Sequence, residues 1–235
     1  MSQMGSRVKA LTLAGVLVGW SRTARLEIPA RRHPLVQAGL AAGLVAITGA
    51  PLGLRPPALR SGLRLGTAAA AVAAAGVAAS TALPQVRAAM AERDLPAPAA
   101  TWLGVQIPLG TVWSEEAAYR AALGTVAAEA FGRSTGRLVQ ATAFGLSHVN
   151  DARATGEPVA ATVVATGIAG WLFGSMFERS RSLAAPMLAH LVINEAAAIA
   201  ALAVHRRNSI SARAGTGHGR HRRRGTGGGR HRRPG

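Results

Sequence analysis

The sequence predicts an all-α protein, a polytopic transmembrane bundle of about seven helices with a disordered basic C-terminal tail, and three observations carry that expectation. Charged residues make up only 16% of the 235 positions, against ~25% in soluble domains, and the deficit is concentrated in long stretches with no charge at all. Those stretches are rich in Ala, Gly, Val and Thr, small residues that let membrane helices approach one another closely. Of the 10 acidic side chains, two stand side by side as Glu115-Glu116 inside an apolar run long enough, at ~1.5 Å per residue, to cross a bilayer.

Taken in order, the first apolar run, Ala10 to Trp20, follows Arg7 and Lys9 and reads as a short or tilted helix, because no small-x-small cleavage signal comes after it. Arg22 to Arg32 is a basic loop. Pro34 to Leu54 reads as an uncharged span and Leu65 to Leu83 as another. Three prolines and the charges Arg87, Glu92, Arg93 and Asp94 mark Pro84 to Ala100 as an interfacial connection with at most a short helix. The glutamate segment runs from about Val105 to Phe131 and is closed by Gly132-Arg133-Ser134-Thr135-Gly136. Further helices are expected from Arg137 to Asn150, from Val159 to Phe177, and from a Ser182 cap to about Val204. Positions 205–235 are Gly, Arg, His and Ser with little to bury, so they are expected to be disordered. The chain therefore divides into N-terminal helices and loops (1–100), a helix bundle bearing the unusual polar residues (101–204), and the tail (205–235).

Composition also excludes function classes. Without cysteine there is no disulfide framework, thiolate metal site or cysteine nucleophile. Aromatic residues are only 4%, too few for base-stacking surfaces, so no specific nucleic-acid partner is expected despite a net charge of +17. Ten of the 27 basic residues lie from Arg206 onward; the tail reads as an anchor on anionic lipid, with the carboxyl terminus cytoplasmic by the positive-inside rule. The Ala, Gly and Arg richness reads as bacterial, which makes the expected location the bacterial plasma membrane.

Charges inside a membrane are costly, so such groups face a protein-lined cavity and find partners. On a helix Glu116 and Arg120 are i and i+4 in the favourable acid-first order, which leaves Glu115, ~100° around, without a partner in its own segment. Two later helices repeat the peculiarity: Phe144 and His148 are one turn apart, as are His190 and Asn194, and these are the two histidines inside expected spans. Singly, each has an ordinary reading: an interhelical hydrogen bond for a histidine, bundle glue for Asn194, a structural pair for Glu116 and Arg120, packing for Phe144. Jointly, Glu115, His148, His190 and Asn194 on three apolar helices are hard to assign to packing, since each adds desolvation cost without apolar burial.

The ordered motifs E-E-x-x-x-R (Glu115 to Arg120), F-x-x-x-H (Phe144 to His148) and H-x-x-x-N (His190 to Asn194), with Ser182-Leu183-Ala184-Ala185-Pro186 ahead of the last, resemble the CPBP family of intramembrane proteases, which includes the type II CAAX prenyl endopeptidases of the Rce1 and Abi group. The resemblance covers roughly Thr101 to Val204 and implies an intramembrane endopeptidase acting on a membrane-associated peptide or protein, prenylated or not. In it Glu115 is the general base and polarises water with His148, His190 and Asn194 stabilise the oxyanion, and Glu116 and Arg120 hold Glu115. A carboxylate in a water-poor cavity can accept a proton from water and return it to a leaving amine, and amide and imidazole N–H groups are suitable oxyanion donors. Metal dependence stays open. Glu115, His148 and His190 are the candidate ligands for zinc, but the His-Glu-x-x-His helix is missing and Asn is a poor zinc ligand, which favours a metal-independent mechanism. Two other classes compete: a transporter or channel using the same polar cavity, and a non-catalytic peptide-binding or immunity protein.

Overall fold

The computed structural model describes residues 3–23, 30–31 and 33–223, with side chains as far as 211, and among them all regular structure is helical. The basic loop expected at Arg22 to Arg32 lies largely outside the described residues. Helix α1 (Gln3–Arg22) leads to α2 (Pro34–Thr48), α3 (Ala58–Thr81) and a short α4 (Pro84–Glu92) in the expected interfacial connection. A continuous rod follows, begun by α5 (Ala99–Thr101), passing through wide π-helical turns at Trp102–Trp113 and Glu116–Leu123, and ending as α6 (Gly124–Phe131). The rest is α7 (Arg133–Ser147), α8 (Val149–Thr155), α9 (Val159–Ser180) and α10 (Ala184–Arg223).

Three helices are long and apolar enough to cross a bilayer: α3, α9 and α10 over Ala184–Ser211. The protein is thus an integral membrane protein by length and composition. Of the other membrane helices counted from sequence, α1 is long enough but less apolar, and the rest are shorter or interrupted. The expected span Pro34 to Leu54 stops at Thr48, because Gly49 takes a left-handed φ of 64° and its N–H turns back to the carbonyl of Ala46, after which Pro51 bars a helix. At the other end of α2, the imidazole of His33 accepts a hydrogen bond from the N–H of Leu35. Val72, Ile47, Val164 and Ile168 lie exposed on the outside, as lipid-facing residues do.

The rod differs most from its sequence reading, which expected plain α-helix from about Val105. Pro108 lies inside the first wide stretch; a proline ring removes one ladder N–H and crowds the carbonyl a turn back, which favours opening of the coil. Ser114 follows the wide geometry, its hydroxyl donating to the carbonyl of Leu109 five residues back at 2.7 Å. Glu115 sits between the two π stretches, where the coil changes pitch.

Helix α9 ends at Ser180, and Ser182 then caps α10 as expected, its hydroxyl accepting from the N–H of Ala184 at 3.3 Å. The final helix continues to Arg223 rather than stopping near Val204, since no proline or glycine interrupts the chain before Gly215. This replaces the expected disorder over the first part of the tail; positions 224–235 lie outside the described residues. In the packed bundle α10 lies along α3, α7 along α9, and α2 against the rod.

Candidate active site

Burial decides what the rod can hold. Glu116 and Arg120 have fully buried side chains with Oε2 and Nε 3.1 Å apart, so the expected i,i+4 pair forms even in widened turns. The pair is completed from another helix. His190 of α10 donates from Nδ1 to Oε1 of Glu116 at 2.7 Å and turns Nε2 toward Oε2 of Glu115 at 3.8 Å. Glu116, expected to hold its neighbour Glu115, is therefore shared between Arg120 and His190. A carboxylate can only accept, so the proton on this side of the imidazole is fixed at Nδ1.

Aromatic rings close the cluster. The guanidinium of Arg120 lies 3.8 Å from the centroid of Phe144 and 5.1 Å from that of Phe173, so two π faces stand in for hydrogen-bond acceptors around a buried cation. Phe173 also stacks on His190 at 5.3 Å with planes 29° apart, while Phe144 meets Tyr119 and His148 edge-on at 5.2 and 4.7 Å. Phe144, read from sequence as packing, does pack, but against three members of the polar set.

His148 occupies the break between α7 and α8, with φ −86° and ψ 2°. Its Nδ1 lies 2.8 Å from the carbonyl oxygen of Phe144, which can only accept; Nδ1 therefore carries a proton, and Nε2 is the nitrogen left to face the cavity. His148 and Glu115 line one cavity of about 220 Å³ with Ser114, Tyr119, Ser147 and Asp151. Asn194 instead lines a second cavity of about 640 Å³, walled by Trp102, Ile107, Thr111 and the alanines of α10 and rimmed by Glu92, Arg93 and Asp94. Its Nδ2 is buried and has no hydrogen-bond partner among the described residues. Glu115 and His190 thus meet directly, Glu115 and His148 share a cavity, and Asn194 stands one turn along α10 in the neighbouring one.

Several contributors escaped the sequence reading. Trp20, Ser21, Arg31 and Gln37 wall the smaller cavity, so the chain before Thr101 adds more than spans. Arg31 packs its guanidinium on the ring of Trp20, donates to Oγ1 of Thr23 at 2.9 Å and also bonds the carbonyl of Trp20, while Asn150 donates to the carbonyl of Ser21 at 3.1 Å. Arg31 thus ties the stretch before α2 to the end of α1, and Asn150 ties α8 to it. Asp151 is largely accessible, yet it lines the cavity and the protein around its carboxylate raises its pKa above the ordinary value: burial is the main cause, with Glu115 adding to it and His148 and Arg31 opposing. The only signal for Asp151 was its place three residues after His148; Phe173 had none.

Nδ1 of His190 bonds Glu116 and Nδ1 of His148 a backbone carbonyl, which leaves the Nε2 atoms as the ring nitrogens a metal could take, while among the described residues no group of three or more His, Asp or Glu side chains is arranged to hold a metal ion.

A family model described as type II CAAX prenyl endopeptidase Rce1-like matches residues 97–196, a stretch that contains all three motifs. No curated protein and no solved structure matches the chain. With the two motif helices joined at Glu116 and His190, the matched stretch, which runs from the α4–α5 connection to just past Asn194, is similar to the Rce1-like type II CAAX prenyl endopeptidases.

Proposed function

We propose that the protein is an intramembrane endopeptidase that cleaves a membrane-associated peptide or protein by direct attack of water. The observation that carries this reading is the placing of His190 between the paired glutamates, Nδ1 on Glu116 at 2.7 Å and Nε2 facing Glu115 at 3.8 Å. A structural ion pair needs only Glu116 and Arg120; a second carboxylate facing the free nitrogen of a fixed imidazole, beside a cavity with room for water, is an arrangement for moving protons.

In this mechanism a water in the smaller cavity donates one hydrogen bond to Glu115 and another to Nε2 of His148. Glu115 takes the proton as the oxygen adds to the scissile carbonyl carbon. The resulting oxyanion accepts from Nδ2 of Asn194, a buried donor without a protein partner, and from His190. Because Nδ1 of His190 is committed to Glu116, donation from Nε2 requires the doubly protonated ring. Collapse of the tetrahedral adduct breaks the C–N bond, and the proton held by Glu115 goes to the departing amine. The larger, mainly apolar cavity holds the substrate, its volume being in the range of ligand clefts. A prenylated Cys-a-a-X tail is the substrate the family suggests, and other apolar peptides suit the same lining. The arginines from Arg206 onward support a cytoplasmic carboxyl terminus.

The test is cleavage of a quenched peptide library by the purified protein in detergent. Glu115→Gln and His148→Ala are each expected to reduce cleavage by about 10²-fold or more with the fold intact. Cleavage that survives Glu115→Gln removes the assigned base; ion flux into vesicles with no cleavage in any variant makes the cavity a transport path.

A further inference from the structure

Helices α3 and α10 pack closely where α10 begins: at Gly66 a Cβ would come within 2.9 Å of the carbonyl oxygen of Ala185, and at Gly62 within 2.5 Å of the hydroxyl of Ser182. Farther along, α4 also lies against α10 and is tied to it where His205 Nε2 lies 3.0 Å from the carbonyl oxygen of Met90. Where the three helices meet there are two adjoining cavities of about 280 and 270 Å³, which share Arg87, Val204 and Arg207. The first is lined mainly by Ala78, Ala82, Ala200 and Ala203, and the second adds Asn208 and the outer face of α4.

The charge of this cleft is one-sided: two arginines and no carboxylate line it. Arg87 spends N–H groups on the carbonyls of Thr81 and Ala82 at the end of α3, which anchors its cation in place. Arg207 is exposed and has no hydrogen bond or ion pair among the described residues. Both stand where the apolar run of α10 gives way to Arg206 and Arg207, at the level where a bilayer changes from acyl chain to headgroup.

We propose that the cleft between α3, α4 and α10 binds one anionic phospholipid, its phosphate between Arg87 and Arg207 and an acyl chain along the alanine-lined floor. Guanidinium groups grip phosphate oxygens by charge-assisted hydrogen bonds, and an alanine floor gives a methylene chain room that larger side chains would fill. The occupant is a lipid rather than a soluble phosphate because the apolar half of the cleft is continuous with the charged half. This binding is separate from the reaction at Glu115 and does not depend on it.

The test is native mass spectrometry of the full chain released from nanodiscs of mixed phosphatidylcholine and phosphatidylglycerol. One phosphatidylglycerol per chain is expected to survive delipidation, with no matching phosphatidylcholine. Arg207→Gln should weaken retention about tenfold or more, whereas Arg220→Gln, which removes the same charge from the tail, should leave it unchanged. Arg87→Gln should act like Arg207→Gln; if losing the cap on α3 unfolds it, the exposed Arg207 still decides. Equal loss in the Arg207 and Arg220 variants reduces the effect to diffuse attraction by the tail and overturns the proposal. So does equal retention of phosphatidylcholine, or displacement of the lipid by inorganic phosphate, which would make the cleft a phosphate site.

Discussion

Nδ1 of His190 lies 2.7 Å from Oε1 of Glu116, joining α10 to the rod across 74 residues of sequence and drawing Glu116 away from a role confined to its own helix. The two adjacent glutamates should therefore fail in different ways. Glu116→Gln leaves Arg120 a buried cation without its counter-charge, and losing one partner of a buried pair costs about 3–5 kcal/mol. Glu115, whose side chain is 28% exposed, has no such burden, and Glu115→Gln should abolish cleavage while hardly moving the melting temperature. Thermal unfolding in detergent alongside peptide cleavage separates the two. Equal destabilisation by both substitutions would mean that the pair acts as one structural unit.

Phe173 touches both ends of that network, stacked on His190 and 5.1 Å from the guanidinium of Arg120. Phe173→Leu keeps most of the apolar volume and removes both π faces, so it should destabilise by only about 1–2 kcal/mol. The freed imidazole should cost more in rate: a fall in kcat of about ten- to hundredfold with KM little changed, because misplacing a reacting group by ~1 Å has that scale. Phe173→Tyr, which restores the face, should recover most of the rate. A loss appearing in KM alone, or one that Tyr does not rescue, would make Phe173 part of the substrate wall.

What was legible in the sequence lay within single helices. Glu116 with Arg120, Phe144 with His148 and His190 with Asn194 are each one turn apart, and one-turn spacing is readable without knowing which helix faces which. The partnering of helices was not readable: nothing in Glu116 or His190 says that they bond each other, and Phe173 sits in an apolar run whose residues look interchangeable. The π turns were hidden as well, since Pro108 signals a disturbance of the coil but not its width. The true end of α2 had a signal in Gly49 and Pro51, masked by an apolar run that continues to Leu54. Arg31 and Gln37 reach the cavity only because α1 and α2 fold back over the rod.

The junction of α3 and α10 sets a test of packing away from the chemistry. Gly66→Ala would push a methyl group to 2.9 Å from the carbonyl oxygen of Ala185, with 3.0 Å to its Cα, and neither backbone atom can move aside. Overpacking of this kind costs about 1–3 kcal/mol. Gly76→Ala, on the same helix with nothing within 4 Å, should be neutral or stabilising by the ~1 kcal/mol that Ala gains over Gly in a helix. Melting temperatures of the two variants check this; identical shifts would mean that the helices are not in close contact at Gly66.

Asp151 lies on α8, outside the three long apolar helices. Its pKa is raised from the ordinary 3.8, chiefly by burial and further by Glu115, against the pull of His148 and Arg31. A carboxyl that binds its proton more tightly when folded favours the fold fully below the ordinary value, and that contribution is lost as pH rises through the raised one. Stability should accordingly decline with rising pH across the window just above 3.8, modestly, because water screens an accessible group. Asp151→Asn removes the titration and should flatten this part of the curve while raising the melting temperature at neutral pH. Melting curves from pH 4 to pH 7 for the two proteins read the effect directly; parallel slopes would assign the pH dependence to other carboxylates.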